Sequence, residues 1–343
     1  GDLASGTSSA STKLIHGGVR YLRQGDIGMV RNALRERSFL LQNAPHLVHP
    51  LAFIIPAWNQ IDRLMFAGGL KLYDMLAGWH NLTASQRLNS QEVIAALPGL
   101  KSTGLCGGIR YWDGQFDDAR LAITLMRTAT DLGATCLNYL PAIRLINSKG
   151  RVTGAVLRDA ETGEEFEVAA RAIINATGVH ADSVRQLDDA NARPLLTPSQ
   201  GIHLVVDADF LPGQQALMIP KTEDGRVMFA IPWQGKVLLG TTDTPRAELR
   251  QLNDPQPLEA EIDFLLRTAA GVLTRPPTRA DIRSAFAGLR PLIHPDNADE
   301  KNTAALSREH ATLVSASGLI TVAGGKWTTY RLMAEQVVDR AIE

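Results

Sequence analysis

Hydroxyl, cationic and glycine residues are concentrated in the segment Gly6–Leu22, which reads GTSSASTKLIHGGVRYL. Its hydroxyls and Lys13 are donors for a phosphate, and the adjacent glycines let a ligand approach the backbone closely. Lys13, His16 and Arg20 recur at helical spacing, which predicts three cationic or titratable groups on one helix face with no acid among them. An anionic ligand would relieve their repulsion, whereas a solvated Ser/Thr-rich loop is the alternative interpretation.

A second potential anion site is the turn Gly324–Gly325, between a predicted strand at Leu319–Ala323 and a predicted helix at Thr328–Ile342. Such a turn exposes backbone N–H groups at a helix N-terminus, where anions bind. Lys326 beside this positive helix end is unfavourable unless an anion is present. The alternative is an ordinary strand-to-helix turn capped by Thr328.

Three further features have suitable chemistry but low specificity. The run Ile173–Gly178 ends in small residues, as a strand does where a ligand lies at the carboxyl end of an open α/β sheet. His203 lies in a strand-like run, and Arg290 precedes Pro291. A lone histidine in a strand is more often structural than catalytic, and a lone arginine is more often part of an exposed ion pair. Neither residue indicates catalysis by itself.

Apolar periodicity predicts the elements that must position these residues. Helices are predicted at Ile27–Ala44, Trp58–Trp79, Asp117–Leu132, Ala260–Leu273 and Thr328–Ile342. Strands are predicted at Ala134–Tyr139, Ala142–Ile146, Val152–Arg158, Glu165–Ala169, Ala172–Gly178, Ile202–Val206, Ala216–Ile219, Val227–Ile231, Val237–Leu239 and Leu319–Ala323. The elements of residues 117–178 are typical of the second half of a dinucleotide-binding α/β domain, and residues 201–242 predict an antiparallel sheet.

The predicted helix Trp58–Trp79 is mostly apolar, with only a few charged residues among large side chains. A core helix is the more common structure with this pattern, and a helix lying on a membrane surface is the alternative. The apolar run Leu51–Ala57 is interrupted by Pro56. No stretch approaches the ~20 apolar residues that a spanning helix needs, and no signal peptide is recognisable at the start.

The 343 residues suggest about two domains, at ~100–200 residues per domain. The formal net charge is −1, and 45% of the residues are hydrophobic and 21% charged, as in a globular protein. This composition excludes disordered, collagen-like and disulfide-scaffold chains. The neutral balance gives no electrostatic reason to bind nucleic acid. Two cysteines fit a reducing compartment and exclude a multi-cysteine metal site, and no metal site is predicted.

Taken together, these residues resemble the FAD-dependent glycerol-3-phosphate dehydrogenases. The blocks that carry the resemblance follow the family's order along the whole chain. Their residues are more similar to the mitochondrial-type branch of the family. They are Gly6–Leu22, Ala44–Leu47, Tyr111–Arg120, Ile173–Gly178, Ile231–Trp233, Gly240–Thr244, Gly288–Leu292 and Gly324–Arg331. The resemblance implies an α/β fold with an α+β second domain. One part is a Rossmann-like FAD-binding domain of the glucose/D-amino-acid-oxidase type, and the other is a substrate domain with a mostly antiparallel sheet.

The resemblance further implies oxidation of sn-glycerol 3-phosphate to dihydroxyacetone phosphate, with hydride transfer to FAD and electrons passed to a quinone. Arg20 and Arg290 would bind the substrate phosphate, His203 would act as general base, and Tyr21 would add a hydroxyl to the pocket. Lys326 would lie near the substrate oxygen or the flavin. The residues implied to line FAD are Thr7, Ser8, Ser9, Lys13, Leu14, His16, Gly17, Gly18, Thr177, Gly178, Gly324, Gly325, Lys326, Trp327 and Thr328.

One part of the family's pattern is missing. The family begins with a strand and a Gly-x-Gly-x-x-Gly turn that binds the FAD pyrophosphate, and the glycines at 104, 107 and 108 have the wrong spacing for it. We therefore expect a fragment cut at both ends, with an incomplete FAD-binding domain. The expected division is an FAD-binding domain at 1–30, 116–190 and 286–343, a helical, substrate and membrane-base segment at 31–115, and a substrate domain with an antiparallel sheet at 191–285.

The resemblance also implies partners and a location. It implies peripheral attachment to a membrane surface through residues 58–78, on the cytoplasmic side of a bacterial inner membrane or, alternatively, at the mitochondrial inner membrane. A homodimer is a further expectation. Two alternatives to the dehydrogenase remain open, an oxidase of the same fold that passes electrons to O2 and a non-catalytic fragment that lacks the pyrophosphate site. An amino-acid oxidase is disfavoured by the cations Lys13, Arg20, Arg290 and Lys326, which suit a phosphate dianion better than a zwitterion.

Overall fold

A computed structural model describes residues 1–246, 254–293 and 310–343, with the side chains of Arg20, Arg23 and Gln24 outside the description. In these ranges the helices are α1 Ile27–Asn43, α2 Gln60–Ala77, α3 Ser90–Ala96, α4 Asp118–Asp131, α5 Ala181–Asp188, α6 Glu259–Val272 and α7 Tyr330–Ile342. The strands are β1 Leu14–Ile15, β2 Val48–Ala57, β3 Gln86–Leu88, β4 Gly107–Phe116, β5 Ala142–Ser148, β6 Arg151–Arg158, β7 Glu165–Ala169, β8 Ile174–Asn175, β9 Leu196–Asp207, β10 Ala216–Ile219, β11 Met228–Trp233, β12 Lys236–Gly240, β13 Thr244–Pro245, β14 Ser284–Ile293, β15 His310–Val314 and β16 Ile320–Gly324.

The largest sheet runs in the order β1-β4-β2-β10-β11-β12-β9-β13, with β3 added beside β4 and β14 beside β9. Its pairs are antiparallel except for β2 with β10. Strand β14 pairs with β9 over ten positions, from Ser284 opposite Val205 to Ile293 opposite Leu196. This long ladder places the segments around His203 and Arg290 side by side.

Two smaller sheets complete the described chain. Strands β15, β16 and β8 form one of them, in which β16 lies parallel to β8 with Ile320 opposite Ile174. Strands β5, β6 and β7 form an antiparallel meander whose β6–β7 connection carries the turn residues 159–164. The result is the mixture of helices with parallel and antiparallel sheet that the sequence predicts.

The large sheet has a hydrophobic core on each face. Along β2, Phe53 and Ile55 pack in one cluster with α1 and α2, while Ile54 packs in the other with α3 and α6. Leu217 and Met218 of β10 divide in the same way. Because successive strand side chains point to opposite faces, a strand buried on both faces is a continuous apolar run, as Leu51–Ile55 of β2 and all of β10 are.

Most of the predicted elements are confirmed, one predicted strand is wrong, and several observed strands, β14 among them, were not predicted. The five predicted helices are all observed within two residues of their predicted bounds. Ala134–Tyr139 is wrong, since residues 134–139 form no strand. Strands β2 and β4, each ten residues long, were not predicted, because Pro56 and three glycines interrupt their apolar patterns. In β2, Pro56 is the penultimate residue, so the strand accommodates it close to its end.

The predicted domain division stays a prediction, and the sheets bear on its boundaries. The boundary between 285 and 286 falls inside β14, which pairs with β9 on both sides of it. Among the described residues, no helix is both long enough and apolar enough to cross a membrane.

Candidate active site

A cavity of about 690 Å³ opens where the N-terminal segment, the large sheet and the turn before α7 meet. Fourteen of the residues singled out from the sequence line it. They are Thr7, Ser8, Leu14, His16, Gly18, Tyr21, Gly178, His203, Arg290, Gly324, Gly325, Lys326, Trp327 and Thr328. The fold therefore brings the first block of the chain, two strands of the large sheet and the last block to one site.

The predicted cationic helix face at Lys13, His16 and Arg20 is wrong. Leu14 and Ile15 form strand β1, which pairs with β4, and Lys13 before it has a left-handed φ of 60°, so Lys13 and His16 share no helix face. Nor does Lys13 lack an acid, because its Nζ lies 2.7 and 2.8 Å from the carboxylate oxygens of Asp118. The partner comes from the start of α4, far along the chain, where a local pattern could not reveal it.

Asp118 holds the middle of the hydroxyl-rich segment through Ser11 and Lys13. Ser11 Oγ donates to its carboxylate at 2.7 Å, and Lys13 Nζ also donates to the Ser9 carbonyl at 2.5 Å. Thr7 Oγ1 donates to the carbonyl of Leu289 at 2.6 Å, which ties the segment to β14. Ser9 and Lys13 thus hold the segment in shape behind the cavity wall, while Ser8, Ser11 and Thr12 line it.

Gly17 and Gly18 are required for different reasons. A Cβ on Gly17 would lie 2.3 Å from the hydroxyl of Tyr73, so this position is closed by packing inside the protein. Gly18 has φ 77°, in the left-handed region that favours glycine, and it leads into the short helix Val19–Gln24. Of these two glycines, only Gly18 contributes to the lining of the cavity.

His203 lies on β9 at the cavity wall and is only 2% exposed. Its ring stacks on Phe286 at 5.0 Å between centroids, and its Nε2 is 2.9 Å from Thr12 Oγ1. Its Nδ1 is buried without a hydrogen-bond partner among the described residues. Burial, followed by the charges of Arg290 and Lys13, lowers the pKa of His203 to about 3. The imidazole is therefore neutral near pH 7 and able to accept a proton.

Arg290, on β14, is held by the turn between β12 and β13. Its Nη2 donates to Thr241 Oγ1 and to the Thr242 carbonyl, both at 3.0 Å, and its Nη1 is 3.8 Å from a carboxylate oxygen of Asp243. A Cβ on Gly201 would lie 2.2 Å from Nη2. The guanidinium therefore lies over the bare backbone of β9, two residues from His203.

The Gly324–Gly325 turn joins the first and last blocks. Both glycines have positive φ, 76° and 80°, which explains their residue type. Trp327 Nε1 donates to the Ser8 carbonyl at 2.9 Å. The ammonium of Lys326 lies 4.3 Å from the centre of the Tyr21 ring.

Thr328 does not cap the last helix, contrary to one of the two interpretations of this turn. Residues Trp327–Thr329 form a short 3-10 helix, and α7 begins at Tyr330. Thr328 Oγ1 instead lies 3.3 Å from both the backbone N–H and the carbonyl of His16. It therefore links the turn to the N-terminal segment.

The predicted site residues still to be described are Thr177, Gly178 and Arg20. Thr177 donates its hydroxyl to Asn175 Oδ1 at 2.7 Å behind Gly178, which lines the cavity with φ 60°. The side chain of Arg20 lies outside the described residues. Its role, like the roles of the other predicted site residues, stays a prediction.

Sequence reasoning missed several residues at the cavity. Asp113 lines it from β4, and Thr12, Thr241 and Phe286 contact His203 or Arg290. Asp113 and Thr241 do lie within quoted blocks, Tyr111–Arg120 and Gly240–Thr244, but their type and spacing gave no chemical role. Phe286 left no signal, because one aromatic residue in a strand is ordinary core composition.

The family of the chain follows from comparison with known proteins. A family profile described as "FAD dependent oxidoreductase" matches residues 1–331, nearly the whole chain. The chain belongs to this FAD-dependent oxidoreductase family. FAD is thus the cofactor of its family, and the α/β fold with mixed sheets is the family's fold.

Relatives within the family agree on one activity in their names. The chain is 39% identical over 360 residues to the probable mitochondrial glycerol-3-phosphate dehydrogenase of Dictyostelium discoideum, with 98% of this chain and 56% of that protein covered. It is 42% identical over 358 residues to the mitochondrial glycerol-3-phosphate dehydrogenase of Mus musculus, with 100% and 48% covered. The chain spans about half the length of the curated relatives it matches.

A solved structure supports the same grouping. The glycerol-3-phosphate dehydrogenase of Bacillus halodurans, complexed with FAD, matches with a TM-score of 0.77 and 34% identity. The match covers 98% of this chain and 57% of that one.

The residues around the cavity fit a flavin of this family. Gly18, Gly178, Gly324 and Gly325 form its small-residue wall, and a Cβ at Gly178 would meet only open space. Hydroxyl side chains, among them those of Thr7, Ser8 and Ser11, and the imidazole of His203 supply polar groups along it. These are the features that a polar heteroaromatic ligand close to the backbone requires.

Proposed function

We propose that the protein oxidises the C2 alcohol of sn-glycerol 3-phosphate to dihydroxyacetone phosphate. The observation that carries the proposal is the pairing of a neutral, buried His203 with Arg290 across Gly201 on the wall of a flavin-type cavity. The names of the relatives supply the substrate. Bound FAD supplies the hydride acceptor for this chemistry.

Arg290 is the proposed phosphate ligand. A guanidinium offers planar paired donors that match phosphate oxygens, and its charge favours a dianion. Thr241 and Thr242 fix the orientation of Nη2, so the side chain is ordered before substrate arrives. Arg20 is the second proposed phosphate ligand, carried over from the sequence.

His203 is the proposed general base for the C2 hydroxyl. Burial is the main cause of its low pKa, and the positive charges of Arg290 and Lys13 lower the pKa further. A phosphate dianion beside Arg290 offsets that positive charge, so substrate binding raises the proton affinity of His203. The base is therefore strengthened when it is needed, and it is held in place by the Phe286 ring and Thr12.

Lys326 and Tyr21 are proposed to face the carbinol or the flavin. The ammonium of Lys326 contacts the Tyr21 ring, so the two side chains lie on the same side of the cavity. A cation at this place would favour a negative charge developing on the substrate oxygen or on the reduced cofactor.

Turnover with an artificial electron acceptor tests the proposal. We expect glycerol 3-phosphate to be oxidised with much higher kcat/KM than glycerol, because the phosphate contacts are lost with glycerol. Equal kcat/KM for the two alcohols, or turnover only with amino acids, would contradict the assigned substrate. Peroxide formation at the rate of turnover without any added acceptor would favour the oxidase alternative.

We also propose that the protein attaches to a membrane surface and passes electrons to a quinone there. Helix α2 buries Ala67, Leu70, Tyr73 and Ala77 against the core. Its other side is apolar as well, with Ile61 80%, Leu64 61% and Met75 70% exposed, and Trp79 after the helix is fully exposed. A helix that is apolar on its solvent side is suited to the lipid interface.

The membrane is proposed to be an inner membrane, mitochondrial or bacterial. The Dictyostelium discoideum and Mus musculus relatives are called mitochondrial, which supports the first of these. A homodimer stays a prediction from the family resemblance.

A further inference from the structure

A buried ion pair lies directly behind the segment His16–Gly18 of the active site. Arg37 of α1 and Asp113 of β4 are fully buried, and Arg37 Nη1 donates to Asp113 Oδ1 at 2.6 Å. Arg37 also donates to the carbonyls of Trp112 and His80, both at 3.1 Å. A buried pair of this kind costs desolvation free energy, so stability alone is a weak reason for its presence.

The Asp113 carboxylate has two further donors. The hydroxyl of Tyr73 on α2 lies 2.9 Å from both carboxylate oxygens. The backbone N–H of Gly17 donates to Oδ1 at 3.2 Å. Asp113 thus joins α1, α2 and β4 to the segment His16–Gly18, and it lines the cavity from the same position.

The segment is fixed tightly between two sides. On one side, a Cβ at Gly17 would be 2.3 Å from the Tyr73 hydroxyl and 2.6 Å from Leu34, so the backbone rests directly on this cluster. On the other side, Thr328 Oγ1 contacts the N–H and the carbonyl of His16 at 3.3 Å. The backbone of this segment can therefore shift only if one of these contacts is lost.

We propose that Asp113 is a positioning residue of the active site, paired with Arg37 and anchored by Tyr73. Its carboxylate holds the N–H of Gly17 and thereby sets the place of His16 and Gly18 on the cavity wall. The proposal rests on the proposed flavin site, because its consequence is tighter binding of FAD by a preformed wall. Asp113 itself takes no part in proton or hydride transfer.

Three single substitutions separate positioning from general stability. Tyr73→Phe removes one donor to Asp113 and leaves the ion pair intact. Asp113→Asn removes the charge and leaves Arg37 without its counterion, so it is the stronger variant and the one at greater risk of not folding. Glu36→Gln is the matched control. Like Asp113, Glu36 is a buried carboxylate, but it lies on α1 and pairs with Arg331, whose Nη2 and Nε are 2.7 and 2.9 Å from its oxygens.

The readouts are amide hydrogen exchange of residues 16–19 in the flavin-free protein and the dissociation constant of FAD from fluorescence titration. In Tyr73→Phe we expect exchange at residues 16–19 to rise, and FAD affinity to fall, by about tenfold, the effect of losing one hydrogen bond to a charged group. Glu36→Gln should leave both within about twofold of the wild type. Exchange in the β5–β6–β7 sheet should not change in either variant.

Two results would overturn the proposal. In the first, the Tyr73→Phe variant matches the wild type both in amide exchange at residues 16–19 and in FAD affinity. The other is a Glu36→Gln control that loosens the segment as much as Tyr73→Phe does. A wild-type protein that binds no FAD would contradict the proposed function instead, and the exchange measurement would still decide whether Asp113 holds the segment.

Discussion

The guanidinium of Arg290 lies across Gly201, so closely that a methyl group on Gly201 would be 2.2 Å from Nη2. Gly201 and His203 are on the same face of β9, two residues apart. The absence of a side chain at Gly201 is what lets the arginine approach the histidine over the backbone of its neighbouring strand. This relationship leads to the first prediction.

Gly201→Ala should displace Arg290 and raise KM for glycerol 3-phosphate by about tenfold or more, with flavin still bound, since a misplaced guanidinium loses a charge-assisted hydrogen bond. Steady-state kinetics with an artificial acceptor measures the change. The matched control is Gly271→Ala in α6, where a new Cβ meets no atom within 4 Å. An unchanged KM in Gly201→Ala would show that the position of Arg290 does not matter for the substrate.

Arg290→Ala should raise KM for glycerol 3-phosphate far more than KM for glycerol, because the lost contact is to the phosphate. A fall of about 100-fold in kcat/KM for the phosphorylated substrate is the magnitude expected for a charged hydrogen-bonded pair. The two substrates are compared under identical conditions. An equal loss with both would remove Arg290 from phosphate binding.

His203 should make the protein less stable as the pH falls from about 6.5 towards 3. Burial and the charges of Arg290 and Lys13 lower its pKa to about 3 in the folded state, whereas an unfolded histidine has a pKa of about 6.5. Between these values the unfolded state binds more protons, so stability rises with pH across this window, by at most about 1.4 kcal/mol per pH unit. Urea unfolding at pH 5 and pH 7 measures the difference.

His203→Gln should remove this part of the pH dependence, since the variant has no group to protonate there. The control is His46→Gln, which changes an exposed histidine. A wild-type-like slope in His203→Gln would place the responsible group elsewhere. The same variant should lower kcat while flavin remains bound, and wild-type turnover would dismiss His203 as the base.

Asp118→Asn should destabilise the protein by about 3–5 kcal/mol, because it leaves the buried ammonium of Lys13 without its counterion. The double variant Lys13→Met with Asp118→Asn should recover much of this loss, since the uncompensated charge is then gone. Chemical unfolding of the wild type and the variants forms the test. Additive losses in the double variant would show that the two residues do not act as a pair.

Met75→Lys on the outer face of α2 should weaken binding to vesicles of zwitterionic lipid, because a charge replaces apolar surface at the lipid interface, without changing turnover with a soluble acceptor. Leu132→Lys is the matched control, because Leu132 is 84% exposed at the end of α4, away from this face. Flotation with vesicles measures the bound fraction. Equal binding of both variants and the wild type would remove α2 from membrane attachment.

Local sequence patterns predicted much of the fold but little of how the site is held. Helix periodicity gave α1, α4, α6 and α7 directly, because one face of each is buried. Composition alone indicated the segments Gly6–Leu22 and Gly324–Lys326 at the cavity, whereas His203 and Arg290 were assigned roles only through the family resemblance, since they have no distinguishing local pattern. The partners that set their properties are distant in sequence: Asp118 for Lys13, Phe286 for His203 and Asp113 for Gly17. Such pairings arise from β-sheet register and helix docking, which a local pattern does not encode.

Anaerobic mixing of the flavin-loaded protein with glycerol 3-phosphate tests the central claim most directly. We predict that the absorbance of oxidised flavin disappears in the wild type and that glycerol at the same concentration bleaches it much more slowly. His203→Gln should bind flavin and bleach slowly with either alcohol. A wild-type protein that holds oxidised flavin and keeps its absorbance in the presence of glycerol 3-phosphate would contradict the proposed reaction.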